Sequence, residues 1–390
     1  MRVAYVCGDV GVPVFGTKGA SVHVQEIVRA WRKTGATVTV YCTRAGTARP
    51  PDLADLKVVE VVPARAEGRE RERAAKSAAI NLAARIVCDG TDLLYERYSL
   101  FSPVLAVVVP LLAVPSVLEV NAPLIEEQLR YRGLWDIGGA EDMLRRSAES
   151  ADVVACVSDP VVRWIRGRAP GANVILAPNG VNVDRITPRR PGWRRMDRLT
   201  IGFVGTLKPW HGVPILLDAV AQANFRTTDP TRRWAVRIIG DGPGRAELER
   251  RAEELAVKAE FTGAVPPEAI PELLGACDAA AAPYPGAQPG GDDYFSPLKI
   301  YEYMAAAMPI IATSTGQIPS ILEHGRTGLV VTAGDAPAFA SALLELAGDA
   351  ALRERLGRHA RADAASRFTW EGVLSRITAA LSASPKVPVP

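Results

Sequence analysis

Short apolar runs alternate with helical patterns along this chain, and that alternation constrains the fold more tightly than any other feature. In the first half the runs are RVAYVC, TVTVYC, KVVEVV, DLLY, SVLEV, DVVACV and NVILA. In the second half they are LTIGFVG, WAVRIIG, AEFTG, DAAAAP, PIIAT and GLVVT. Hydrophobicity in them is continuous rather than alternating, which suits strands covered on both faces. Between them lie stretches such as Ala20 to Lys33, where Val24, Ile27, Val28 and Trp31 fall on one face at three-to-four spacing. Strands alternating with helices fold as parallel sheets wound on both sides. The expected class is α/β, with two Rossmann-like doubly wound parallel-sheet domains facing an interdomain cleft.

The chain has 390 residues, long for one core and comfortable for two, and its 48% apolar content argues against wholesale disorder. The stretch from Arg185 to Arg198 carries two prolines, one glycine and six arginines without periodicity, the composition of an exposed linker. The first domain is therefore expected over residues 1–186, the linker over 187–198 and the second domain over 199–368. A last helical pattern covers 369–382, and residues 383–390, ending in SPKVPVP, are expected to be a disordered tail.

Charge is nearly balanced, 46 Lys plus Arg against 43 Asp plus Glu, so nothing in the total calls for nucleic acid as a partner. Cys7, Cys42, Cys88, Cys156 and Cys277 stand apart with no CxxC pair, and buried reduced thiols in a cytoplasmic protein are expected. The chain opens directly on the strand-like MRVAYVC, so no signal peptide is expected. Leu100 to Val120 is long and apolar, but Pro103, Pro110 and Pro115 interrupt it. It reads as a helix, a turn and a buried strand rather than a membrane span. The linker arginines read as a solvated surface, or as a peripheral contact with an acidic membrane at the inner face of the cell.

Ligands of open α/β sheets bind beyond the carboxyl ends of the strands, and three segments there carry candidate chemistry. The first, GDVGVPVFGTKGASVHVQE, places Lys18 and Gly19 where a strand hands over to a helix whose free amides can meet an anion. It is neither GxGxxG nor a P-loop, and a plain glycine-bearing turn is the alternative. The second, GTLKPWHGV, brackets Lys208 and His211 between glycines. Fixed cations and amides there would stabilise a departing nucleotide diphosphate as it gains charge. Lys208 is charged at neutral pH; His211 either donates a hydrogen bond or caps the next helix, and Trp210 reads as a packing wedge. The third, DDYFSPLKIYEYMAAAMPIIAT, offers Ser296 as a cap for a helix starting at Pro297. Amides near Leu298 and Lys299 would then face a phosphate, and Glu302 one turn later would accept both ribose hydroxyls.

Together with PNGVNVD, IGDGPGRAELE, FTGAVPPEAIPELLGACD and the closing FTWEGVLSRI, these segments resemble retaining glycosyltransferase family 4, of the two-Rossmann B-type fold, over nearly the whole chain. The resemblance implies transfer of a sugar from a UDP- or GDP-linked donor to a hydroxyl acceptor. It places the Gly19 loop near the donor phosphates and acceptor, Lys208 at the diphosphate, and Gly240 and Val265 beside the base. Ser296, Pro297 and Leu298 would line sugar and phosphate, Glu302 would hold the ribose, and the final helix would cross back onto the first domain. Composition suggests a bacterial source, with glycan, glycolipid or secondary-metabolite acceptors.

Four departures from the family pattern stand out. Tyr294 occupies the place of the usual first glutamate, with Asp293 adjacent as a substitute. Thr206 stands for an arginine and His211 for a lysine, and the usual histidine after the VLEV-type strand is absent. Asn121 in that neighbourhood is expected to touch the donor sugar. Glu119 is expected either to face the acceptor or to partner an arginine. Arg130 and Trp135, within 123–139, are candidate acceptor contacts, with an ordinary amphipathic helix as the alternative. No metal cluster with sensible ligand spacing occurs, Asp292 and Asp293 alone being weak ligands, so neither a metal nor another cofactor is expected. A sugar-nucleotide 2-epimerase, a nicotinamide dehydrogenase and a non-catalytic nucleotide-sugar binding partner are the competing readings.

Overall fold

The computed structural model describes residues 1–188, 198–286 and 293–384. Most of the arginine-rich linker, Asp292 and the end of the tail lie outside those residues. The chain divides into two compact units. The first comprises Met1–Asn179, Tyr294–Ser296 and the described chain from Trp370 on; the second comprises Gly180–Asp293 and Pro297–Thr369.

The first unit is built on seven parallel strands, β1 (Arg2–Cys7), β2 (Thr37–Cys42), β3 (Lys57–Glu60), β4 (Leu93–Arg97), β5 (Ser116–Val120), β6 (Val153–Cys156) and β7 (Val174–Leu176). Their order is β3-β2-β1-β4-β5-β6-β7. Every residue of β5 and β6 is buried, the two-sided burial that their unbroken apolar runs call for. The Gly19–Lys33 helix buries Val24, Ile27, Val28 and Trp31 and ends at Thr34, whose hydroxyl donates to the Trp31 carbonyl at 2.7 Å. Gly35, at φ +82°, then takes the left-handed position that glycine fills without strain. Burying Trp31 alone contributes about 1.5–3 kcal/mol.

The second unit has six strands, β8 (Leu199–Val204), β9 (Trp234–Ile239), β10 (Ala259–Phe261), β11 (Ala279–Ala282), β12 (Ile310–Thr313) and β13 (Leu329–Val331), in the order β10-β9-β8-β11-β12-β13. All its pairings are parallel. Its core joins Ile201, Phe203, Leu216, Leu217, Trp234, Phe339 and Leu343. The buried Trp234 indole donates to the Leu343 carbonyl at 3.1 Å, so its one polar atom is satisfied.

Leu100 to Val120 forms a helix, Val104–Leu112, a left-handed turn at Ala113 and then β5. No helix among the described residues is long and apolar enough to cross a membrane. Cys7, Cys42, Cys156 and Cys277 are buried free thiols whose pKa burial pushes up to about 12. Cys88 departs from the expectation: it is exposed at the end of the Gly68–Asp89 helix.

Candidate functional site

In each sheet the chain winds outward in both directions from one central pair of strands. The carboxyl ends of such a pair leave a crevice where the loops diverge. In the second unit that pair is β8 and β11. The loop after β8 runs from Gly205 to Gly212 and contains a short 3₁₀ turn, Pro209–His211. It is pressed against the end of β11: a β-carbon on Gly212, at φ +69°, would lie 1.7 Å from the Pro283 carbonyl oxygen. It is also pressed against the end of β9, where a β-carbon on Gly240 would lie 2.1 Å from the Gly205 carbonyl oxygen. Glycine at these two positions sets the path of the loop and hence the position of Lys208 and His211.

Lys208 is half-buried with its ammonium 4.6 Å over the Trp210 ring. Trp210 itself is 48% exposed, a platform for that cation rather than the wedge expected. Nδ1 of His211 donates to the Thr206 carbonyl. A carbonyl only accepts, so the hydrogen is on Nδ1 and Nε2 is left as an acceptor. Burial, then Lys299 and Lys208, draws the pKa of His211 down to about 3. Of the two expectations for His211, it donates a hydrogen bond, to the Thr206 carbonyl, and does not cap: no side chain caps the Val213–Phe225 helix.

The helix of the third segment runs Leu298–Ala305, one residue later than expected, with Pro297 at its N-cap and no side-chain cap. The hydroxyl of Ser296 does not cap it but accepts from Asn179 N at 3.0 Å, within the first unit, while Asn179 Nδ2 donates to the Ser296 carbonyl at 2.8 Å. Lys299 is 8% exposed. Its Nζ lies 4.1 Å from the Phe203 ring centre and 5.0 Å from that of Tyr284. The carboxylate of Glu302 stands 3.6 Å from the Arg185 guanidinium, both side chains mostly buried. Asp293 accepts from the Thr315 hydroxyl. Val265 is half-buried in the loop after β10, next to the bridge joining Gly240 and Gly263. The second unit thus gathers Lys208, His211, Lys299, Glu302 and Gly240 about the β8–β11 crevice. The arrangement can hold an anion against a loop cation and a helix N-terminus, with a carboxylate one turn on for hydroxyls.

In the first unit the corresponding strands are β1 and β4. Gln25 Nε2 donates to the Val14 and Gly16 carbonyls at 2.9 and 3.0 Å, pinning the glycine loop after β1. Lys18 is exposed at the helix N-cap, in extended backbone, and Gly19 opens the helix. Glu119 is buried on β5: Oε1 accepts from the Tyr95 hydroxyl at 2.8 Å and lies 2.8 Å from His23 Nε2, and Oε2 is 3.8 Å from Arg97. Burial alone would raise its pKa; His23 and Arg97 outweigh that and hold it below the usual range. Of the two expectations for Glu119, the structure shows the partner of an arginine, with the side chain buried. Both polar atoms of the Asn121 side chain are buried without a hydrogen bond among the described residues, so that carboxamide can serve an incoming ligand. Residues 123–139 do not form one amphipathic helix: Leu124–Tyr131 and Ile137–Ser150 are separated at Gly133. Arg130 lies over the Tyr131 ring at 5.5 Å, and Trp135 is 48% exposed. The hydroxyl of Tyr294 donates to Glu127.

Sequence reasoning missed Arg185, His23 and Arg97. Arg185 was hidden in a segment that reads as linker. His23 sits on an apolar helix face and Arg97 ends an apolar run, and lone polar residues at strand and helix ends were the available signal. Among the described residues no group of three or more His, Cys, Asp or Glu is placed to hold a metal ion.

Residues 17–185 match the family model described as Glycosyltransferase Family 4, and residues 198–349 match Glycosyl transferases group 1. The chain is 30% identical over 385 residues to D-inositol 3-phosphate glycosyltransferase of Corynebacterium jeikeium, covering 90% of this chain and 88% of that one. It is 32% identical over 224 residues to phosphatidyl-myo-inositol mannosyltransferase of Mycobacterium leprae, covering 57% of this chain and 56% of the relative. Among solved structures, HepE of Anabaena in complex with UDP and glucose superposes with TM-score 0.72 at 20% identity, covering 98% and 100% of the two chains. Sucrose-phosphate synthase from Thermosynechococcus elongatus gives 0.74 at 19% identity, covering 98% and 99%. At such identities these likenesses establish a shared fold.

Proposed function

The chain belongs to glycosyltransferase family 4, and from that premise we propose that this glycosyltransferase moves a sugar, with retention at the anomeric carbon, from a UDP- or GDP-linked donor to a hydroxyl acceptor. The observation that carries the reading is that the β8 loop and the uncapped first turn of the Leu298–Ala305 helix meet, with Lys208 and Lys299 both acting on His211, Lys299 against Gly205, and Glu302 acting on Lys299. A nucleoside diphosphate matches that set: phosphate oxygens for the cation and amides, ribose hydroxyls for the carboxylate. On this reading the bond from the anomeric carbon to the phosphate oxygen breaks, and a bond to the acceptor oxygen forms on the same face. The acceptor proton passes to the leaving phosphate. The protein supplies positioning and fixed charge rather than a nucleophile. The catalytic role proposed falls to Lys208 and the neighbouring His211 at the diphosphate and to Asn121 at the sugar. A metal has no part in this reading, and activity is expected to persist in excess chelator.

The names of the two relatives favour an acceptor bearing inositol, free or lipid-linked, within the wider class of bacterial glycans, glycolipids and secondary metabolites. A lipid-linked acceptor would make the enzyme peripheral to the inner face of the cell membrane. The test is calorimetric titration of UDP, GDP, ADP and NAD, without metal, into the wild type and Glu302→Ala. One nucleoside diphosphate is expected to bind, and to lose at least roughly tenfold in affinity in the variant. Binding of NAD alone would remove the proposal. NMR of the product follows, and an inverted anomeric centre would remove the retaining step.

A further inference from the structure

The amine of Lys299 is buried where a lysine is costly. Its Nζ makes no hydrogen bond among the described residues, and an ammonium taken out of water needs partners. What surrounds it is two aromatic faces, Phe203 at 4.1 Å and Tyr284 at 5.0 Å, and the field of Glu302 from its own helix, a carboxylate already shared with Arg185. The amine also lies against the end of β8: a β-carbon on Gly205 would stand 3.1 Å from it. It therefore sits beneath the loop of Lys208 and His211, at the first turn of the Leu298–Ala305 helix. Among the described residues, His211 from that loop also faces it, with Lys208 acting on the same imidazole, and Tyr284 from beyond β11 presents its ring, its hydroxyl raised above the usual range by burial, then Asp293.

We propose that Lys299 is the cation that the donor's diphosphate charges: it takes up a proton from solvent when the diphosphate arrives and holds the leaving diphosphate as the glycosidic bond breaks. This rests on the donor reading above. Without the anion, burial draws the amine's pKa down to about 7, against the opposing pull of Glu302. A phosphate at the crevice supplies the counter-charge that restores the ammonium. Proton uptake is then part of binding, and affinity for the diphosphate falls as pH rises above neutrality.

Titration of UDP, GDP and ADP, and of the matching nucleosides, into the protein at about pH 8 in two buffers of unlike ionisation enthalpy reads the effect directly. Wild-type protein is expected to take up close to one proton per diphosphate bound, and none per nucleoside. Lys299→Met is expected to abolish the uptake and weaken the diphosphate roughly 10- to 100-fold while leaving the nucleoside within about twofold. Lys299→Arg, charged at every pH used, is expected to bind the diphosphate without uptake. Methionine keeps an unbranched apolar stem out to Cε and removes a buried charge, so the melting temperature of Lys299→Met is expected to hold or rise. Unchanged uptake in Lys299→Met, or equal losses for nucleoside and diphosphate, would overturn the inference and leave the donor reading standing. Failure of every diphosphate to bind the wild type would remove both.

Discussion

Glu302 owes its setting to a residue far away in sequence. Its carboxylate stands 3.6 Å from Arg185, with side-chain exposures of 13% and 19%. Removing one member of such a pair leaves the other buried charge uncompensated. Arg185→Ala is therefore expected to weaken nucleoside-diphosphate binding about 3- to 10-fold, less than Glu302→Ala does, because the carboxylate proposed to hold the ribose remains but is no longer oriented. Calorimetry checks it, and wild-type affinity in Arg185→Ala would detach the pair from the donor. Glu302 was legible in the sequence as a carboxylate ringed by Ile300, Met304 and Ile310. Arg185 was not, because it opens a segment rich in prolines and arginines and its partner lies in another element. A second carboxylate makes a pH prediction. Glu96 is fully buried, bonded by the Ser102 hydroxyl and by Leu105 N at 3.0 Å, and burial raises its pKa from 4.5 to about 7. The folded state binds this proton more tightly than the unfolded chain. The stability it contributes is therefore full below about pH 4.5 and lost as pH rises through about 7. Glu96→Gln is expected to flatten that fall in urea unfolding curves, by up to about 3 kcal/mol. An unchanged slope would place the proton elsewhere.

The thirteen strands among the described residues were legible as apolar runs, most plainly β5, β6, β11 and β12, which are buried throughout, whereas the edge strands β3, β7 and β10 are half-buried to exposed. Their order was not, since a strand's neighbours are chosen by loops and helices rather than by its own composition. The helix of the third segment shows the same limit. Its apolar periodicity was legible, but Ser296 satisfies Asn179 rather than capping it, and that partner is invisible to local pattern. Loop geometry is the element-scale feature most open to test. Gly212 combines φ +69° with a β-carbon position 1.7 Å from the Pro283 oxygen. Alanine there would strain the backbone and push the β8 loop off β11. Gly212→Ala is expected to destabilise the protein by about 2–4 kcal/mol and to weaken nucleoside-diphosphate binding. Gly167, near the end of the Asp159–Arg168 helix, has nothing within 4 Å of its β-carbon position and a negative φ. Gly167→Ala is expected to stabilise by up to about 1 kcal/mol with binding unchanged. Equal effects of the two changes on thermal melts would show that the loop is not held as described.

Chain order and structural membership part company at the scale of the molecule. Residues 180–186, which read as the end of the first domain, group with the second unit. Arg361 donates to the Val183 and Ile186 carbonyls, and Val181 pairs with Thr369, contacts that no local periodicity announces. Conversely, the Trp370–Ser382 helix completes the first unit. The sequence shows it as a helix, but nothing in its own periodicity says which core it covers; only the family resemblance pointed to the first. Trp370, 3% exposed, sets its ring edge-on to His23 at 4.9 Å, and His23 in turn faces Glu119. The buried polar cluster of the first unit therefore depends on a residue near the far end of the chain. Truncating such a tryptophan typically removes about 3–5 kcal/mol. Since each unit has its own hydrophobic core, the loss should fall on the first. In scanning calorimetry, Trp370→Ala is expected to lower one transition. On the proposed donor reading, the nucleoside diphosphate that binds should raise the other, since Lys208, Lys299 and Glu302 all belong to the second unit. Displacement of a single shared transition by both perturbations would mean that the two cores melt as one, and that the C-terminal helix stabilises the whole molecule rather than the unit it completes.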